Sequence, residues 1–147
     1  MSVKVFVDTN VLVYARDASE SAKQAQAASW MAVLWGKRAG RLSYQVLQEF
    51  YVTVTMKLSP GLDQELARRD GRALEAWQPI AADSRVLERA WLLQDRYRFS
   101  WWDALIVAAA QLSNCQYLLS EDFQEGLEFG NLKVIHPFHQ RPDDFTW

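Results

Sequence analysis

The chain contains a single cysteine, Cys115. One thiol forms no internal disulfide, and a zinc site built on several thiolates is excluded. Cys115 itself reads as a small buried hydrophobe. Histidine is scarce too: His136 and His139 stand together near the C-terminus and pair with no plausible nucleophile, which disfavours a histidine-based nuclease. No apolar run approaches the roughly 20 residues that a membrane-spanning helix needs. Met1-Ser2-Val3-Lys4 leads straight into a strand-like run, so no signal peptide is expected. A reducing cytoplasm is the expected setting. A basic excess is also missing, since the formal net charge is −2. Proteins that grip phosphates usually carry a surplus of Lys and Arg. Any nucleic-acid role must therefore rest on a local basic patch or on metal ions. Internal repeats and low-complexity segments are absent.

What is present is one domain's worth of chain, 147 residues with half of them hydrophobic, enough to bury a core without staples. Residues 3–7 alternate and are β-branched, predicting a buried strand that ends at Asp8. Thr9 and Asn10 are placed to cap a short helix over residues 11–15. Residues 19–38 predict a long amphipathic helix with Ala28, Met31, Ala32 and Trp35 on its apolar face, ending between Gly36 and Gly40. A short strand over 41–43 precedes a helix over 45–57, whose β-branched content weakens its propensity. Ser59-Pro60-Gly61 breaks the chain. Helices follow over 62–77, 84–97 and 102–112, then strands over 115–119 and 131–135. Strands alternating with helices predict a three-layer α/β/α sandwich around a central, mainly parallel sheet. Residues 1–136 form the expected domain, with a tail over 137–147 lying outside the core.

Four acids stand where this architecture exposes its ligand crevice, the carboxyl ends of the strands. Asp8 closes the first strand, although an Asp there also suits a turn or a helix cap. Asp122 follows the strand Tyr117-Leu118-Leu119 in the string Ser120-Glu121-Asp122, where it too could be a turn residue; Glu121 beside it could substitute or face water. Asp103 opens an almost wholly apolar helix after Trp101-Trp102, and Ser100 to Asp103 fits a capping box. Glu49 lies between Gln48 and Phe50 on a helix that also has a solvated side. Singly each signal is ordinary; together, four acids far apart in sequence could meet at one sheet edge. Unshielded, such a cluster repels itself. Mg2+ or Mn2+ removes that repulsion, favours carboxylate and water oxygens, and supplies the chemistry of phosphodiester hydrolysis.

At these positions the sequence resembles the PIN-domain family, and within it the VapC-type toxins of toxin–antitoxin modules. The resemblance is carried by Phe6-Val7-Asp8-Thr9-Asn10-Val11-Leu12, by the run from Ser43 to Tyr51, by the run from Ser100 to Ala110, and by the run from Tyr117 to Phe123. These runs fall in the family's order and span nearly the whole chain. The resemblance implies a parallel-sheet fold and Mg2+- or Mn2+-dependent cleavage of single-stranded RNA, leaving a 5′-phosphate and a 3′-hydroxyl. It implies that Asp8, Glu49, Asp103 and Asp122 hold the metal and that Thr9, Asn10 and Ser120 support them. A cognate antitoxin that blocks the acidic pocket is the implied partner, and the tryptophan-rich helices suit a homodimer.

Around the site, Ser43 is expected to cap the Glu49 helix, with phosphate contact as the alternative. The arginine clusters at 68, 69 and 72 and at 85, 89, 96 and 98, like Lys37, Arg38 and Arg41, read mostly as a solvated, salt-bridged surface. Trp30, Trp35, Trp77 and Trp91 are expected in core or interface, and Trp101 or Trp102 is the better candidate for stacking on a base. Three rival functions stand beside a toxin nuclease. One is a housekeeping RNA-processing nuclease. Another is a phosphatase with a strand-end Asp nucleophile, for which Asp8-Thr9-Asn10 lacks the usual second Asp. The third is a non-catalytic binding module of the same fold, which retention of all four acids disfavours.

Overall fold

A computed structural model describes residues 2–147. The chain forms five strands, β1 (Val5–Val7), β2 (Gly40–Arg41), β3 (Tyr117–Leu119), β4 (Glu128–Phe129) and β5 (Leu132–Ile135). Six α-helices accompany them: α1 (Thr9–Tyr14), α2 (Ser21–Lys37), α3 (Tyr44–Val52), α4 (Gln64–Leu74), α5 (Ser84–Tyr97) and α6 (Trp101–Leu112). The sheet runs β2-β1-β3-β5-β4, parallel throughout except for the β4–β5 pair. This is the α/β/α arrangement predicted from the alternation of elements. No helix among the described residues is long and apolar enough to cross a membrane.

The central strands are apolar because helices cover the sheet. All of β1 is buried, as are Leu118 and Leu119 of β3 and Val134 and Ile135 of β5. Helix α6 lies on β3 and against α5; its run Ala104 to Ala110 is wholly buried, and the small alanines let backbone approach backbone. Glycine is needed at position 40 on the edge strand, where a Cβ would stand 2.6 Å from the Trp77 ring.

Several expectations are corrected at the level of packing. Asp8, not Thr9 or Asn10, caps α1: its carboxylate accepts from the Thr9 amide. Helix α2 buries Ala27, Trp30 and Leu34, one position away from the expected stripe, whereas Ala28 and Ala32 face solvent and Trp35 is half-exposed. The cause is the C-terminal segment. Residues 137–147 do not lie off the core: Trp30 Nε1 donates to the carbonyls of Pro137 and Gln140, and Phe145 packs edge-on to the Trp30 ring. That cover draws the adjacent stripe inward. The helix does end between Gly36 and Gly40 as expected, its last residue Lys37 followed by Arg38 in the left-handed conformation. The predicted helix over 45–57 is α-helical only to Val52 and continues as a π-helical turn, Thr53–Lys57. Strand β4, a two-residue partner to β5 across a turn at Gly130, was not anticipated.

Candidate functional site

Register builds the centre of the site. Val7 pairs with Leu119 in the parallel β1–β3 ladder, so the next residues, Asp8 and Ser120, leave the sheet side by side. The Asp8 amide continues the ladder to the Leu119 carbonyl at 3.0 Å. Ser120 is fully buried and its Oγ donates to Asp8 Oδ2 at 2.7 Å. The same Ser120 Oγ accepts from the Asp122 amide at 3.0 Å, which folds Asp122 back over the strand ends.

Asn10, one residue inside α1, ties these groups together. Its Nδ2 lies 3.3 Å from Asp8 Oδ2, 3.2 Å from Ser120 Oγ and 3.1 Å from Asp122 Oδ2. Its neighbour Thr9 donates its hydroxyl to Glu49 Oε1 at 3.0 Å, so α1 also holds the acid of α3. Ser43 acts as the cap of α3, its buried Oγ accepting from the Val46 amide at 3.3 Å. Ser100 likewise caps α6 by accepting from the amide of Asp103. The Glu121 carboxylate instead pairs with Lys23 Nζ at 3.1 Å.

The acids feel one another. Asp8 is only 7% exposed, and its carboxyl is pushed up to about 7. Burial is the main cause, and the charges of Asp122 and Glu49 add to it against the hydrogen bonds from Ser120 and the Thr9 amide. Asp103 is shifted upward as well, by burial and then by the charge of Asp122, opposed by its bond to Ser100. The four predicted acids thus share one electrostatic neighbourhood at the carboxyl edge of the sheet. Thr9, Asn10, Glu49 and Asp122 line a cleft of about 650 Å3 there.

A hard divalent cation suits this donor set. The groups are oxygen donors only, and a carboxylate pushed upward by burial and further by its acidic neighbours is the group that gains most from a nearby cation. Among the described residues, no three acidic, histidine or cysteine side chains are already drawn together as a ligand set. The donor set is nonetheless the all-oxygen kind that Mg2+ or Mn2+ takes together with water.

Other expectations resolve outside the cleft. Among the described residues no arginine lines it; Arg72 pairs with Glu65, Arg85 with Asp83, and Arg68 bonds to Tyr51 and Gln64. His136 and His139 stack on each other at 3.7 Å in the C-terminal segment, and neither lines the cleft. Trp30 and Trp77 are buried, whereas Trp91 is half-exposed and stacks on Trp101. Trp102 is 63% exposed directly before Asp103. Lys57, absent from the expected site, lines the cleft at the end of the π-helical turn. The β-branched run Val52-Thr53-Val54-Thr55 is the signal that could have located it.

A profile of the PIN domain family matches residues 5–124. No curated protein sequence matches the chain. Solved structures do. A toxin–antitoxin complex from Klebsiella pneumoniae contains a chain 22% identical, with a TM-score of 0.63, covering 91% of this chain and 98% of that one. VapC20 of Mycobacterium tuberculosis, a sarcin–ricin-loop-cleaving toxin, is 19% identical with a TM-score of 0.57, covering 78% and 87%. VapBC2 of Rickettsia felis, bound to a DNA fragment of its promoter, is 17% identical with a TM-score of 0.60, covering 90% and 97%. At these identities the likeness is one of fold.

Proposed function

The chain belongs to the PIN domain family, and on that premise we propose that it is a divalent-metal-dependent endoribonuclease acting on single-stranded RNA, the toxin of a toxin–antitoxin pair. One observation carries the reading. Asp8, Glu49, Asp103 and Asp122 come from four separate parts of the chain and share one field at the sheet edge: Thr9, Asn10 and Ser120 tie Asp8, Glu49 and Asp122 together, and Asp103 feels the charge of Asp122. Capping α1 accounts for the bond to the Thr9 amide, but a cap does not require burial beside other acids, a costly placement typical of functional groups.

Asp8, Glu49, Asp103 and Asp122 are the residues that would hold Mg2+ or Mn2+. When bound, the ion supplies positive charge for a phosphoryl oxygen and makes water a stronger acid. The chain's own groups do the rest. Ser120 and the Thr9 amide hold the Asp8 oxygens in place and favour its ionised form. Asn10 keeps Asp122 and Asp8 at a fixed separation, and Thr9 orients Glu49. Lys23 neutralises Glu121 and keeps that extra acid from adding its charge to the set.

The fold likeness to chains from toxin–antitoxin complexes supports an antitoxin as partner. So does an apolar groove where Met31 and Trp35 of α2 face Leu12, Phe50 and Leu74. Exposed Trp91, Leu92 and Trp102 support a second copy of the chain as another partner.

The test is cleavage of single-stranded RNA by the purified protein. With Mg2+ or Mn2+, fragments bearing 5′-phosphate and 3′-hydroxyl ends are expected; EDTA should abolish cleavage, and added Mn2+ should restore it. Undiminished cleavage in EDTA would defeat the reading, and a stable phosphoryl group on Asp8 would favour a phosphatase instead.

A further inference from the structure

We propose that Lys57 is the phosphate-holding residue of the cleft, gripping the RNA backbone a nucleotide or two from the scissile bond; this rests on the ribonuclease reading above. Helix α3 carries Glu49 and runs without a break into the π-helical turn Thr53–Lys57. The widened turn is closed by the Leu58 amide, which donates five residues back to the Thr53 carbonyl at 3.1 Å. Its cause lies in the sequence. Val52-Thr53-Val54-Thr55 is a β-branched run, poorly suited to α-helix. The Thr55 hydroxyl donates to the Tyr51 carbonyl at 2.7 Å, engaging that helical acceptor from the side chain.

The turn changes where position 57 points. An α-helix advances about 100° per residue, so a residue eight positions after Glu49 would stand about 80° around the axis from it. A π turn advances about 80° per residue, and winding the last four steps that way returns position 57 to within about 10° of Glu49. Lys57 therefore lies on the Glu49 face, about 10 Å further along the axis. It lines the same cleft as Glu49, Asn10 and Asp122. A continuous α-helix would have turned it toward the flank.

The charge pattern says what Lys57 is for. The other charged groups lining the cleft are Asp17, Glu49, Glu121 and Asp122, all acids, and Lys57 is the single cation among the described lining residues. Asp17 accepts from Ser19, and Glu121 is paired with Lys23. Among the described residues, Lys57 takes part in no ion pair and no side-chain hydrogen bond. A polyanion entering a cleft of acids needs a countercharge away from the acids themselves, and a flexible ammonium is a suitable point charge for a phosphate. The net charge of −2 makes this local cation count for more.

The experiment compares wild type with Lys57→Ala, Lys57→Met, Lys57→Arg and, as a control, Lys37→Ala at the exposed end of α2, in cleavage of single-stranded RNA with Mg2+. Lys57→Met keeps the aliphatic stem and removes only the charge. For Ala and Met we expect KM to rise about 10-fold with kcat within twofold of wild type and an unchanged melting temperature. The slope of log affinity against log salt should shrink by about 0.7, the value for one phosphate on a single strand. Lys57→Arg should restore KM, and Lys37→Ala should change nothing. A wild-type enzyme that cleaves RNA while the Ala and Met variants keep its KM and salt slope overturns the proposal alone. Wild-type protein that neither binds nor cleaves the RNA overturns the ribonuclease reading and this inference with it.

Discussion

Asp8→Asn and Asp103→Asn are each expected to lower kcat for RNA cleavage by about 10^3-fold or more, well beyond the 10- to 100-fold typical of groups that only support a metal ligand. Both substitutions keep size and shape, so the folded state should survive. Asn at position 8 can still accept from the Thr9 amide, and Asn at position 103 leaves the helix cap in place, because Ser100 accepts from the backbone amide of position 103. The loss should therefore appear in kcat with circular dichroism unchanged. Asn10→Ala, which breaks a bridge without removing a carboxylate, should fall in the smaller class. Equal losses for Asn10→Ala and Asp8→Asn would mean that geometry, not ligand charge, limits the rate.

The second large effect is on stability. In the folded protein the Asp8 carboxyl is raised to about 7, above its ordinary value of 3.8. Between those values the folded state keeps a proton that the unfolded chain has released, so folding is favoured at the acid side. Stability from this group is complete below about pH 4, falls as the pH rises toward 7, and is flat above. A shift of that size corresponds to roughly 4 kcal/mol at most between pH 4 and pH 8. The upward shift of Asp103 acts in the same direction. In EDTA the wild type should thus lose urea resistance from pH 5 to pH 8 relative to Asp8→Asn, which should be nearly flat by comparison. Saturating Mn2+ should reverse the trend, because a metal ligand must give up its proton. A wild type and Asp8→Asn that change in parallel with pH in EDTA would contradict the burial argument.

Much of this site was legible because its parts obey local rules. A strand that ends in Asp8 and another that ends in Ser120 must place both residues at one sheet edge if the strands are parallel neighbours. Asp103 could be located because Ser100 announces a helix start. The helix expected over residues 84–97 matches α5, which Asp83 caps by accepting from the Arg85 and Val86 amides. What escaped depends on contacts between distant parts of the chain. Helix α2 has two adjacent apolar stripes, Ala27-Trp30-Leu34 and Ala28-Met31-Trp35, and only the docking of residues 137–147 on Trp30 decides between them. The role of Glu121 was open because nothing in the string Ser120-Glu121-Asp122 reveals that Lys23, 98 residues earlier, takes it. Lys57 escaped because the pattern of residues 45–57 is read at the α-helical period, and a π turn breaks that period.

Direct titration of Mn2+ into the protein, followed by calorimetry, tests the whole account, with wild type set beside the Asn variants of Asp8, Asp103 and Asp122 and the Gln variant of Glu49. One saturable site in the wild type, weakened at least about 10-fold by Asp8→Asn and by Asp103→Asn, is the predicted result. Wild-type affinity retained in all four variants, or no binding to the wild type at millimolar Mn2+, would mean that these carboxylates gather at the sheet edge for some purpose other than holding a metal.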